Sequence, residues 1–305
     1  MVAVDEDVGL IGVPSSAGAY APGQEKAPHA LREAGLVEAF ETAGITVSDH
    51  GDGDRVRWRP DPDRRRAQNA DLVTAVVEDT AARVETALTE NAFPLVIGGD
   101  CTVGLGTVAG AVATGRRVGL CYFDLHPDLN TPQSTDDGAL DWMGVAHALG
   151  VEHTVETLAR AGPRVPLLDP EQVFFFGYGP ENRTVGETAL MTQYDLDGIP
   201  VEDVTTAPET TAEHALRTLE GQVDRLVVHF DVDTIDFVDL PLSENAGRNE
   251  GLAFERAIAA LGVLLACPST VALTITELNP DHGSEDGETV ERFVDGLVEA
   301  FTKRG

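Results

Sequence analysis

The sequence predicts an α/β fold, with a mainly parallel central sheet and helices on both faces. Two observations lead there. Short β-branched, apolar runs alternate with longer segments rich in Ala, Leu and Glu. The chain also has 305 residues, 42% of them hydrophobic, enough for a sizeable core. No internal repeat or low-complexity linker interrupts the pattern, so residues 1–305 read as one domain.

The elements follow in order. Residues 8–14 (VGLIGVP) form a buried strand running into a loop, and 28–40 an amphipathic helix. Residues 51–67 are a polar connection, and 70–90 a long helix. Residues 94–99 are a strand ending in glycines. The runs 117–126 and 224–233 are strands that stay apolar until their last residues turn acidic. Residues 172–179 and 271–280 complete six strands. Helical segments at 208–221, 252–266 and 287–303 fill the intervals.

The formal net charge is −31, from 52 acidic and 21 basic residues, and only Lys26 and Lys303 are lysines. Such an excess repels nucleic acid and anionic membranes, and it suits a surface kept soluble in strong salt. Cys101, Cys121 and Cys267 are too few and too scattered for a disulfide framework. The acidic N-terminus has no signal-peptide pattern and no run is long and apolar enough to span a bilayer, so a reducing cytoplasm is expected.

In parallel sheets, ligands bind at the carboxyl ends of the strands. Four predicted strands end in chemistry: Gly98-Gly99-Asp100-Cys101, Asp124 to Asp128, Asp231 to Asp236, and Glu277. In Asp124-Leu125-His126-Pro127-Asp128 the polar residues fall at i, i+2 and i+4, on one face of an extended segment. Asp231-Val232-Asp233 repeats the spacing. Carboxylates so crowded repel one another unless a cation lies between them. Asp124, His126, Asp128, Asp231 and Asp233 offer more side chains than one catalytic ion with an open position takes, which points to two divalent ions.

These motifs resemble those of the arginase/agmatinase (ureohydrolase) family. FDLHPDLN with Thr131-Pro132 is similar to the family's DAHTDINTP, HFDVDTID to SFDVDxLDP, and Thr276-Glu277-Leu278-Asn279-Pro280 to its EVNP segment. The glycine-rich opening IGVPSSAGAYAPGQEKAPHALREAGL and Gly98-Gly99-Asp100 match in register. The resemblance implies a three-layer α/β/α fold and a homo-oligomer, trimeric or hexameric. It implies two Mn²⁺ ions with a reactive hydroxide between them, and hydrolysis of a C–N bond in a small guanidino (linear amidine) substrate. It places Asp124 and Asp231 between the ions, Asp128 on one, and His126 and Asp233 on the other. Glu277 would receive the guanidinium, and Asn130 would face the substrate's far end.

Three departures bear on function. Cys101 stands where the family's GGDH carries a histidine ligand; as a ligand its thiolate favours Zn²⁺, Fe²⁺, Co²⁺ or Ni²⁺ over Mn²⁺. In the segment that carries the family's proton-shuttle histidine, the aligned residue is Asp141, with His147 the nearby alternative. The Arg-Asp-Val-Asp pattern that reads the far end of arginine is replaced by a run containing Glu181, which takes that place here. His229 replaces the usual serine and is expected to act only on the surroundings of the site. The alternatives to a guanidino hydrolase are a non-catalytic relative, or a formimino or amide hydrolase of the same family.

Overall fold

The computed structural model describes residues 7–247 and 250–304. Eight strands form one sheet among these residues: β1 (Val8–Gly12), β2 (Val47–Asp52), β3 (Phe93–Ile97), β4 (Val118–Phe123), β5 (Val173–Tyr178), β6 (Asp197–Pro200), β7 (Arg225–Asp231) and β8 (Thr270–Thr276). Their order is β2-β1-β3-β8-β7-β4-β5-β6, and every neighbouring pair is parallel.

Helices cover both faces, giving three layers. On one face lie the helices Ala27–Glu33, Leu36–Thr42, Pro208–Leu219, Phe254–Ala266 and Glu288–Thr302; on the other lie Ala70–Thr89, Thr102–Ala113 and Gly144–Ala148. Alternate strand residues feed the two cores. In β4, Cys121 and Phe123 join the first core, and Leu120 and Tyr122 the second. Burial on both sides is why the central strands read as unbroken apolar runs.

The six expected central strands are present, and the two additional ones are the sheet's edges. β2 (VSDHGD) is mostly solvent-facing and β6 (DGIP) is four residues long. An edge strand pairs on one side only and needs no apolar run, so neither announced itself. The expected helix at 28–40 is two helices, parted at Gly35, whose φ of 79° lies in the left-handed region that ends helices. No helix among the described residues is long and apolar enough to cross a membrane.

The turn after β3 is fixed by a close approach. A Cβ on Gly99 would fall 1.5 Å from the Ser15 carbonyl oxygen, so only glycine fits. Asp100, fully buried, accepts hydrogen bonds from the Gly18 N–H (3.0 Å) and the Thr102 N–H (3.1 Å), tying the N-terminal loop to this turn.

Candidate functional site

β3, β4, β7 and β8 deliver their carboxyl ends to one edge of the sheet. The exits from β4 and β7 use the same device. Asp124 Oδ1 accepts from the His126 backbone N–H at 2.6 Å, and Asp231 Oδ1 accepts from the Asp233 N–H at 2.7 Å. Each is an Asx turn, a carboxylate satisfying the backbone two residues on. The turns bring the two motifs together: His126 Nδ1 lies 3.1 Å from Asp233 Oδ2 and 3.5 Å from Asp124 Oδ1.

Donor atoms gather in two clusters, each with all its atoms within 4.8 Å of one another. One holds Asp124, His126 and Asp233; the other holds Cys101, Asp124, His229 and Asp231. Asp124 belongs to both. Asp128 stands outside these two clusters, its carboxylate taking the hydrogen bond of the Tyr122 hydroxyl, but it lines the same cavity.

Crowding perturbs these groups strongly. Burial, then the Asp233 charge, raises the Asp124 carboxyl to about 6. Burial and neighbouring carboxylates push Asp128, Asp231 and Glu277 well above the usual range. For His126, burial opposes the charged form, but Asp233 and Asp124 outweigh it and hold the imidazole cationic. Burial drives His229 down to about 3, so its ring is neutral. Burial and the surrounding carboxylates also push the Cys101 thiol up, and its Sγ–H donates to Asp231 Oδ2 at 2.9 Å.

The donor set fits divalent cations. Asp124 and Asp233, both members of the donor clusters, each have one buried carboxylate oxygen, Oδ2 and Oδ1, without a hydrogen-bond partner. Orphaned carboxylate oxygens are costly, and bound cations would satisfy them.

Above the clusters opens a cavity of about 340 Å³, which Cys101, His126, Asp128, Asp141, Glu277 and Asn182 help to line. Glu277 sits at φ 60°, a strained backbone position. Its Oε1 accepts from the Cys101 N–H (3.0 Å) and its Oε2 from Gln24 Nε2 (2.9 Å). Asp141 lines the cavity too, and burial, with the charge of Asp100 next, holds its carboxyl well above the usual range.

The other candidates are placed differently. His147 is buried away from the cavity lining: Nδ1 lies 2.6 Å from the Met143 carbonyl, and Nε2 accepts from the Val155 N–H at 3.1 Å. With both nitrogens engaged it packs rather than reacts. Glu181 is exposed and does not line the cavity; its neighbour Asn182 does. Asn130 is fully buried, its Oδ1 accepting from Thr184 Oγ1 and Ser134 Oγ at 3.0 and 3.1 Å, which fixes the loop after Asp128.

Sequence reasoning missed three residues. Asn245 donates to Asp233 Oδ2 at 2.8 Å, and Tyr122 donates to Asp128; nothing in their sequence context marked them. His229 is the correction. It was expected to act only on the surroundings of the site, yet a ring nitrogen lies within the Cys101–Asp124–Asp231 cluster. The signal was present: His229, Asp231 and Asp233 are spaced two apart, so the strand periodicity read for the two carboxylates extends back to the imidazole.

A wholly parallel three-layer fold with buried carboxylate, imidazole and thiol donors at its carboxyl edge defines an α/β protein built around a candidate metal centre. The chain belongs to the arginase family, whose sequence model, described as "Arginase family", matches residues 6–302. It is 28% identical to the arginase of Bacillus subtilis (strain 168) over 303 residues, 97% of this chain and 98% of that one. Arginase-1 of Homo sapiens is 27% identical over 319 residues, 98% of this chain and 92% of that one. Among solved structures, the arginase from Bacillus cereus superposes with a TM-score of 0.85 at 25% identity, covering 97% of this chain and 98% of that chain. Formimidoylglutamase from Bacillus subtilis shares the fold, with a TM-score of 0.77 at 18% identity, covering 98% of this chain and 87% of that chain.

Proposed function

We propose that this chain is a metal-dependent hydrolase of a C–N bond in a cationic guanidino compound. The observation that carries the reading is the convergence of two buried donor clusters on a cavity that also exposes Glu277 and Asp141. Two divalent cations, bound by Cys101 or its neighbours, Asp124, His126, Asp128, Asp231 and Asp233, would neutralise the carboxylates and lower the pKa of water.

The remaining steps belong to the chain's own side chains. Glu277 is held from below by Cys101 and Gln24, so its carboxylate presents a fixed acceptor to a planar guanidinium. A cationic substrate restores the charge that burial and the nearby carboxylates disfavour on Glu277. Asp141, whose carboxyl burial and the Asp100 charge hold above the usual range, can deliver a proton to the departing nitrogen. Asp128 lines the same cavity and orients water there, with Tyr122 fixing its carboxylate.

No Lys or Arg is among the described residues lining the cavity, whereas Asp128, Asp137, Asp141, Asp231, Asp233 and Glu277 all are. A lining of that sign selects cations. It also argues against a formimino substrate whose far end carries carboxylates.

The test is product release across a panel of guanidino compounds, with Mn²⁺, Co²⁺, Zn²⁺ and Ni²⁺ supplied one at a time in high salt. We expect urea from at least one pairing. Absence of turnover in every pairing would favour a non-catalytic relative; ammonia or formamide in place of urea would favour the formimino reading.

A further inference from the structure

The turn after β3 lacks the imidazole that the arginase-like GGDH motif places there, and His229 on β7 lies in the cluster that Cys101 occupies. We propose that the ligand has changed elements: His229 joins Cys101, Asp124 and Asp231 in a mixed thiolate–imidazole–carboxylate pocket for a borderline cation such as Zn²⁺, Co²⁺ or Fe²⁺. This rests on the metal-dependent reading above and adds to it a donor from a position that reading does not use.

The geometry supports the exchange. Backbone register sets Tyr122, His229 and Thr274 side by side on the sheet face that meets the helix Thr102–Ala113. Two residues on from His229 the same face carries Asp231, and Cys101 stands at the start of that helix. His229 Nε2 lies 3.1 Å from Thr276 Oγ1, and Cys101 Sγ lies 3.3 Å from the same oxygen. The ring and the sulfur therefore converge on one point, beside Asp231.

The ring is held for that position. It stacks on Tyr122 with centroids 4.3 Å apart and planes 13° from parallel. The helix provides Gly104 against the ring, where a Cβ would come within 2.3 Å of His229 Nδ1. Within this chain, then, a glycine makes room for the imidazole that a cysteine turn lacks. A second observation points to a ligand: Asp124, a member of this same cluster, has a buried Oδ2 without a hydrogen-bond partner.

The donor chemistry sets the ion. A thiolate and a neutral imidazole beside carboxylates match Zn²⁺, Co²⁺ or Fe²⁺, whereas Mn²⁺ prefers oxygen. Entry of the cation displaces the Sγ–H proton now donated to Asp231, so one proton leaves as the metal–sulfur bond forms.

The experiment strips the full chain with a chelator and reloads it with Zn²⁺ or Co²⁺ alone. Zinc-edge X-ray absorption should find one sulfur neighbour at about 2.3 Å. Co²⁺ should give a thiolate charge-transfer band in the near ultraviolet. Cys101→Ser should abolish both signals. His229→Asn should lower bound zinc by about one ion per chain, while His126→Asn should leave the sulfur signal intact. Gly104→Ala, which keeps every donor but crowds the ring, should weaken zinc binding in the same pocket and serves if His229→Asn does not fold. Zinc bound without a sulfur neighbour, or bound equally by His229→Asn, overturns the exchange alone. A wild-type chain that takes up no divalent ion overturns the hydrolase reading with it.

Discussion

The two donor clusters share Asp124 but differ in kind. One pairs it with His126 and Asp233 at the cavity wall, where His126 is 16% exposed and cationic. The other pairs it with Cys101, His229 and Asp231, deeply buried, with the ring and thiol neutral. In the first, the cationic histidine offsets part of the carboxylate charge. The second holds no cation of its own: Asp231 stands near other carboxylates and accepts from the neutral Cys101 thiol and the Asp233 backbone N–H. One motif spacing therefore gives two donor clusters that differ in charge.

The largest expected effect comes from the residue the clusters share. Asp124→Asn removes one of the two carboxylates in each cluster at once. Bound metal should fall in both pockets, and activity by about 1,000-fold or more, of the order lost when a group acting on the reacting centre is removed. Elemental analysis beside product assays checks it. If Asp124→Asn keeps the metal content of the wild type, the clusters do not share a ligand and the comparison fails.

Glu277→Gln tests the cavity rather than the pockets. The amide oxygen can keep one of the two bonds that Cys101 and Gln24 now donate, while the side chain loses the charge facing the substrate. Metal content should stay unchanged while kcat/KM falls by about 100-fold, the worth of about 2.7 kcal/mol. A loss of metal on this substitution would move Glu277 from the substrate to the ions.

Much of this was legible in the sequence. Asp124, His126, Asp231 and Asp233 were placed by strand periodicity, and the Asx turns keep that spacing past the strand ends. The central strands were legible because both their faces are buried; β2 and β6 were not, because an edge strand has no such requirement. Residues brought in from outside the motifs were beyond reach. Asn245 arrives from a loop, and Asn182 rather than Glu181 reaches the cavity because the loop after β5 determines which side chain turns inward. His229 was hidden for another reason: its place in a family pattern suggested a minor change, while its periodicity with Asp231 indicated a shared face.

The smallest predicted effect separates two histidines that the sequence left as candidates, His126 in the site and His147 in the core. Burial lowers His147 to about 4 from its ordinary 6.5. The unfolded chain therefore takes up a proton near pH 6.5 that the folded chain refuses until about pH 4. Stability from this group is complete above pH 6.5 and is lost as pH falls through the window down to about 4. His147→Gln removes the titration; at neutral pH it costs about 1–2 kcal/mol through weakened bonds to Met143 and Val155. Between pH 7 and pH 5 the wild type should lose about 2 kcal/mol relative to the variant, so the gap between them closes. Denaturant unfolding of both proteins at the two pH values, in the same high salt, measures that difference with all other groups cancelling. A gap that stays constant would mean that His147 titrates as an exposed histidine does, and that the core around it opens to water.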